Sequence, residues 1–158
     1  YSGDDYYLTH NADKQEDANG AIYLTSESNG LWGKVNLLNG HNMKSGLMFG
    51  VLGMYKDQEF AESHRDIEIA LDGRMEYYRV FSVFTADANE ENLKLTFNSE
   101  SDFSSYKKLL KKRSLVELDF DDTTENILIL NTCSYEFSNA RTLVCAYKVS
   151  QETGYDIK

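Results

Sequence analysis

Ile127-Leu-Ile-Leu-Asn-Thr-Cys133 and, after the 134–140 segment, Arg141-Thr-Leu-Val-Cys-Ala-Tyr147 decide the fold. Ile127–Leu130 is continuously apolar, as a strand buried on both faces is. The 134–140 segment then reads as a loop joining two core strands, a place where sites are usually built. If 127–133 and 141–148 pair as antiparallel neighbours, Cys133 lies opposite the start of the second strand. Alternation puts Arg141, Leu143, Cys145 and Tyr147 on one face. Cys145 would then sit roughly 13 Å deeper, at about 3.3 Å per residue. Bridged Cα atoms lie within about 7 Å, so two free thiols are expected.

Outward from this pair, most of the chain reads as strands. Ala21–Thr25 and Lys34–Leu38 are short runs bounded by Asn and Gly. Ile67–Leu71, Asp72-Gly73 and Met75–Phe84 make the best hairpin signal, because Asp-Gly supplies the positive φ of a tight turn. Leu93–Phe97 and Leu115–Phe120 alternate as half-buried strands do. Met48, Val51, Leu52 and Tyr55 have helical spacing, weakened by Gly50 and Gly53. A firmer helix follows Ser99-Glu-Ser-Asp102, a capping-box pattern, with Phe103, Tyr106, Leu109 and Leu110 as its apolar face. Its lysines crowd the last turns, where the helix dipole favours cations. The class expected is mainly β, an antiparallel barrel or sandwich with helices outside.

The 158 residues are read as one domain, 1–158, with 41% apolar and 27% charged residues. Net charge is −10, from 26 acidic and 16 basic residues, the wrong balance for a phosphate-binding surface, so no nucleic-acid partner is expected. No Cys/His spacing makes a metal-ligand set, and neither metal nor cofactor is expected. Asp4-Asp5 and Asp121-Asp122 read as loop solvation. The chain opens on Tyr1 rather than Met and is read as an excised piece.

Chemistry rests on three groups at the edges of strand runs. Cys133 ends its run among polar Asn131, Thr132 and Ser134, whereas Cys145 lies mid-strand between Val144 and Ala146. Arg141, brought beside Cys133 by pairing, would lower the thiol pKa and offer a planar fork of N–H groups to an oxyanion. His41, in Gly40-His-Asn-Met43 between a strand and an apolar helix, has a better claim to a fixed orientation than His10 or His64. His10 looks solvated, and His64 lies in a charged stretch.

Together, Ile129-Leu-Asn-Thr-Cys133, an arginine eight residues on, Gly40-His-Asn-Met43 and Met48-Phe49-Gly50 resemble the sortases, cysteine transpeptidases of Gram-positive surfaces. The similarity is to class B in particular and spans about Tyr7 to Tyr147. It implies a closed antiparallel sortase-type β-barrel of about eight strands with peripheral helices, including one at about 101–113. It also implies Cys133 as nucleophile, His41 as general acid/base and Arg141 as oxyanion or substrate clamp. Ile129 replaces the motif's first threonine and should point into the core. Asn131, Thr132, Ser134 and Tyr106 are the substrate-binding candidates; core packing is expected of Phe103.

The implied substrates are sorting-signal peptides of surface proteins, Asn-Pro-x-Thr-Asn-like or x-Pro-x-Thr-Gly-like, with a cell-wall peptide amine as acceptor. The implied location is the extracytoplasmic face of the membrane, through an anchor upstream of this chain. The residues alone leave two rivals: a cysteine hydrolase with water as acceptor, and a non-catalytic surface β-domain with Cys133 structural.

Overall fold

The structure, a computed structural model, describes residues 6–28, 30–71 and 73–149. Among them six strands form one sheet: β1 (Tyr23–Leu24), β2 (Val35–Asn39), β3 (Asp66–Leu71), β4 (Arg74–Asp87), β5 (Ile127–Cys133) and β6 (Ala140–Lys148). Their order is β1-β2-β5-β6-β4-β3. Two α-helices, α1 (Gln58–Ser63) and α2 (Glu100–Lys112), and 3₁₀ helices at Gly30–Trp32 and Leu52–Lys56 complete the regular structure.

The apolar run 127–130 does form a central strand, buried at all four positions. Even-numbered Leu128 and Leu130 join Val144 and Ala146 over Leu52, Tyr55 and Ala61. Odd-numbered Ile127 and Ile129 join Leu143, Cys145 and Tyr147 under Phe103, Tyr106 and Leu110 of α2. Both faces are therefore covered, which is why the run shows no alternation. In β4 the register against β6 shifts between Val80 and Ser82. That bulge changes parity, so Val80 and Val83 share one core while Phe81 and Phe84 share the other.

The expected strand pairing needs one correction. The sheet is not wholly antiparallel, because β2 pairs β5 in parallel; residues 40–126 between them give the long crossover such a pair needs. Among the described residues there are six strands, and no ladder there joins edge strands β1 and β3. The sheet instead curls, so that Leu24 and Leu38 from one edge and Ile69 and Leu71 from the other line a single cavity of about 530 Å³. It is a half-barrel with an apolar seam.

Leu93–Phe97 and Leu115–Phe120 carry no strand ladder, and Leu115 and Val116 lie in a bend. Leu93, Leu95 and Phe97 pack on the α2-side core, held where the Tyr106 hydroxyl accepts the Lys94 N–H at 3.2 Å. Alternation reports a half-buried segment; it does not report what its backbone pairs with.

The helical spacing at 48–55 also misleads. Met48 has φ 53, and helix begins only at Leu52, as a 3₁₀ turn, followed by α1, which had no apolar signal of its own. The hairpin is as expected: Leu71 pairs Arg74 and Gly73 has φ 82, while Asp72 lies outside the described residues. For α2, Ser99 caps as read, its hydroxyl accepting the Asp102 N–H at 3.1 Å.

The lysine cluster of α2 does more than offset the helix dipole. Lys107 is only 5% exposed, donating to the carbonyls of Asp122 and, at 2.8 Å, Thr124. Lys111 donates to the Leu118 carbonyl at 2.5 Å. Both staple the 118–124 segment to the helix. Asp121 turns that segment, accepting from the Thr123 N–H and hydroxyl; Asp4-Asp5 lie outside the described residues.

Candidate active site

β5 and β6 meet in a register that sets Cys133 directly opposite Arg141. Opposed residues of an antiparallel pair project from the same face, so thiol and guanidinium share one side at the C-terminal end of β5. Cys145 pairs Ile129 instead, deep in the sheet. Both thiols are free. Cys133 is half-buried and Cys145 fully buried, and burial pushes the Cys145 thiol up.

His41 reaches the same end through β2. The parallel register pairs Asn39 with Asn131, and beyond the strand the chain stays bonded to β5. The Gly40 N–H donates to the Asn131 carbonyl at 3.2 Å. The Thr132 hydroxyl donates to the Gly40 carbonyl at 2.7 Å. The Asn42 side-chain amide donates to the Cys133 carbonyl at 2.8 Å. His41 is thus flanked by two residues tied to Thr132 and Cys133. The bend is closed by the Phe49 N–H on the His41 carbonyl and by Gly50, where a Cβ would lie 2.2 Å from the Met43 carbonyl oxygen. The imidazole Nε2 stands 2.7 Å from the Leu8 carbonyl oxygen.

Asn131 and Arg141 line one cavity of about 200 Å³ with Leu37, Ala88, Glu91, Leu93 and Leu143. Arg141 donates from Nη1 to the neighbouring Ala140 carbonyl at 3.2 Å. Glu91 also borders a polar recess formed with Asp87, Glu90, Arg113 and Phe137; its carboxylate takes the Arg113 fork at 3.0 and 2.6 Å. The 134–139 loop starts where Ser134 N–H meets the Ala140 carbonyl. It is anchored by the ion pair of Glu136 with Lys56, and that ammonium holds the Glu136 carboxyl at about 2. Tyr135 and Phe137 on this loop are exposed.

Strand register and the bonds of Gly40 and Asn42 therefore place Cys133, Arg141, Asn131 and the His41 backbone at the same end of β5. Ser134 is half-buried beside Cys133. Thr132, 2% exposed, spends its hydroxyl on Gly40, and Tyr106, 9% exposed, reaches a groove only through the 93–97 segment it holds. Ile129 and Phe103 are core, as read. His10 differs from its solvated reading: half-buried, it stacks on Tyr6 at 3.9 Å. His64 stacks on Phe60 at 4.0 Å and caps α1. Asn42, Glu91 and the Leu8 carbonyl were missed. Asn42 adjoins His41 in the quoted motif, but nothing in the chain announces a backbone carbonyl 33 residues away.

The sortase-domain family model matches residues 3–149. The chain belongs to the sortase family. Sortases are cysteine transpeptidases that anchor surface proteins. Sortase B of Listeria monocytogenes is 28% identical over 135 residues, 84% of this sortase and 54% of that protein; the chain thus spans about half the length of this curated relative. Sortase B of Clostridium perfringens superposes with a TM-score of 0.85 at 30% identity, over 92% of this chain and 82% of the other. Sortase B of B. anthracis gives 0.83 at 27% identity, over 96% and 71%. The class B resemblance is therefore shown for this sortase domain, as is its mainly β half-barrel.

Proposed function

We propose that this sortase domain is a transpeptidase in which Cys133 is the nucleophile, His41 the general acid/base and Arg141 the oxyanion clamp. The observation that carries the reading is the meeting of three strands' ends. Cys133 is opposed to Arg141 across β5–β6, and the chain on both sides of His41 is bonded to Thr132 and Cys133. Membership of a family of cysteine transpeptidases supports it.

The Cys133 thiolate attacks the carbonyl of a scissile peptide bond in a C-terminal sorting signal. The Arg141 fork and nearby backbone N–H groups hold the tetrahedral oxyanion. Protonated His41 gives its proton to the leaving amine as the C–N bond breaks, leaving a thioester. An amine from a cell-wall peptide then attacks the thioester, His41 takes its proton, and the thiolate departs. Asn131, which shares the Arg141 cavity, and Ser134 contact the signal. Thr132 and Tyr106 act from beneath, on the His41 bend and the 93–97 segment. The signal is of Asn-Pro-x-Thr-Asn or x-Pro-x-Thr-Gly type, and the work is done at the extracytoplasmic face of the membrane, through an upstream anchor.

A panel of both peptide types, with and without an added amine, tests this by mass spectrometry. The expected results are an acyl-enzyme on Cys133 and an amide product when amine is present. Free acid alone, with amine in excess, would make the enzyme a hydrolase. Cys133→Ala should fold normally and form no thioester; cleavage at the parental rate would remove the nucleophile assignment.

A further inference from the structure

We propose that the backbone carbonyl of Leu8 fixes the orientation of the His41 imidazole, and that Gly20 is the positioning residue that lets it do so. The proposal rests on the acid/base reading of His41. A carbonyl oxygen can only accept, so at 2.7 Å from Leu8 the Nε2 atom carries a proton in both charge states of the ring. Nδ1 is then the nitrogen that gives and takes the catalytic proton. An acid/base group needs an orienting partner for this reason: a ring free to turn presents either nitrogen.

The Leu8 carbonyl is itself held. The Tyr7 carbonyl accepts the Ala21 N–H at 2.8 Å, and the Thr9 carbonyl accepts the Asp17 N–H at 2.9 Å. The Tyr7 ring stacks on Tyr23 of β1 at 5.9 Å. Gly20 is where this segment crosses the chain leading into β1. Its φ is 62, and a Cβ there would stand 2.5 Å from the Tyr7 oxygen and 2.8 Å from the Leu8 oxygen. Any side chain must push the two peptides off, and with them the acceptor of His41. The other two histidines are held differently. His10 and His64 each present Nδ1 to the carbonyl four residues back, at 3.0 Å, contacts that serve only their own turns.

The test is the imidazole ¹⁵N–¹H spectrum of the labelled protein, with His41 assigned through His41→Gln. The expected wild-type result is a slowly exchanging proton on His41 Nε2. In Gly20→Ala that signal should be lost, with kcat for a sorting peptide down about fivefold to tenfold and KM within about twofold, the scale of one hydrogen bond. A His41 proton on Nδ1 in the wild type, or a Gly20→Ala protein retaining both signal and kcat, overturns the proposal. Should Gly20→Ala fail to fold, the wild-type spectrum decides by the same criterion. Full activity in His41→Gln would instead remove the acid/base reading and leave the spectrum standing. An essential His41 protonated on Nδ1 would remove the present proposal alone.

Discussion

Cys145 packs at 0% exposure beside Phe81 and Leu143, where burial raises its pKa by more than the Arg113 charge lowers it. Cys133, further along the same face from Ile129, is only half-buried because β5 ends there. A methanethiosulfonate reagent should therefore label Cys133 in the native protein and leave Cys145 untouched until unfolding. Peptide mapping after a short exposure checks this, and labelling of Cys145 first would reverse the choice of thiol. Cys145→Ala should barely change turnover. At Arg141 the argument is geometric: an ammonium cannot reproduce the planar fork. Arg141→Lys should therefore lower kcat/KM by about 10²–10³, the scale of losing an oxyanion donor, in steady-state assays of peptide cleavage.

Two segments are held in place by charged side chains. Lys107 of α2 is buried against the Asp122 and Thr124 carbonyls and lies 4.8 Å from the Phe103 ring centroid. Lys107→Ala strands those carbonyls and should cost about 1–3 kcal/mol in urea unfolding. Exposed Lys108→Ala should cost close to nothing. The 134–139 loop depends on Lys56–Glu136, and here pH enters. The Glu136 carboxyl is lowered from 4.5 to about 2 in the fold. Its contribution is thus complete above the unfolded value of 4.5 and is lost as pH falls through about 2. With the Glu136 side chain 45% exposed, solvent screening keeps that contribution below about 1 kcal/mol. The stability gap between wild type and Glu136→Gln should be constant from neutral pH down to 4.5 and shrink below it; a gap that widens on acidification would contradict the pairing.

For the whole molecule, the central strand carries the architecture. β5 pairs β2 in parallel and β6 antiparallel while feeding a core on each face. α2 is fastened to the sheet by Leu110, 0% exposed, and by the Ser82 hydroxyl on the Leu110 carbonyl at 2.6 Å. Leu110→Ala should lower stability by about 2–5 kcal/mol, read by denaturant midpoint. Because that core lies on the Cys133 face, the loss should also loosen the 93–97 segment that borders the Arg141 cavity. Hydrogen exchange across 93–97 should rise in the variant, and unchanged protection there would uncouple helix from groove.

The chain alone determined what local chemistry can encode. Continuous burial of 127–130, the Asp-Gly hairpin, the Ser99 cap and the opposition of Cys133 to Arg141 all follow from period, turn residues and a short loop. Their contacts are near in sequence, or follow from one pairing. Tertiary structure decided the rest, because each of these contacts depends on what a residue meets elsewhere along the chain. The partner of β2 is β5, 92 positions on. Leu93–Phe97 found a helix hydroxyl where a strand edge was expected. Lys107 found carbonyls, and the His41 ring found Leu8. Periodicity says which side of a segment is apolar; only the folded chain says which neighbour covers it.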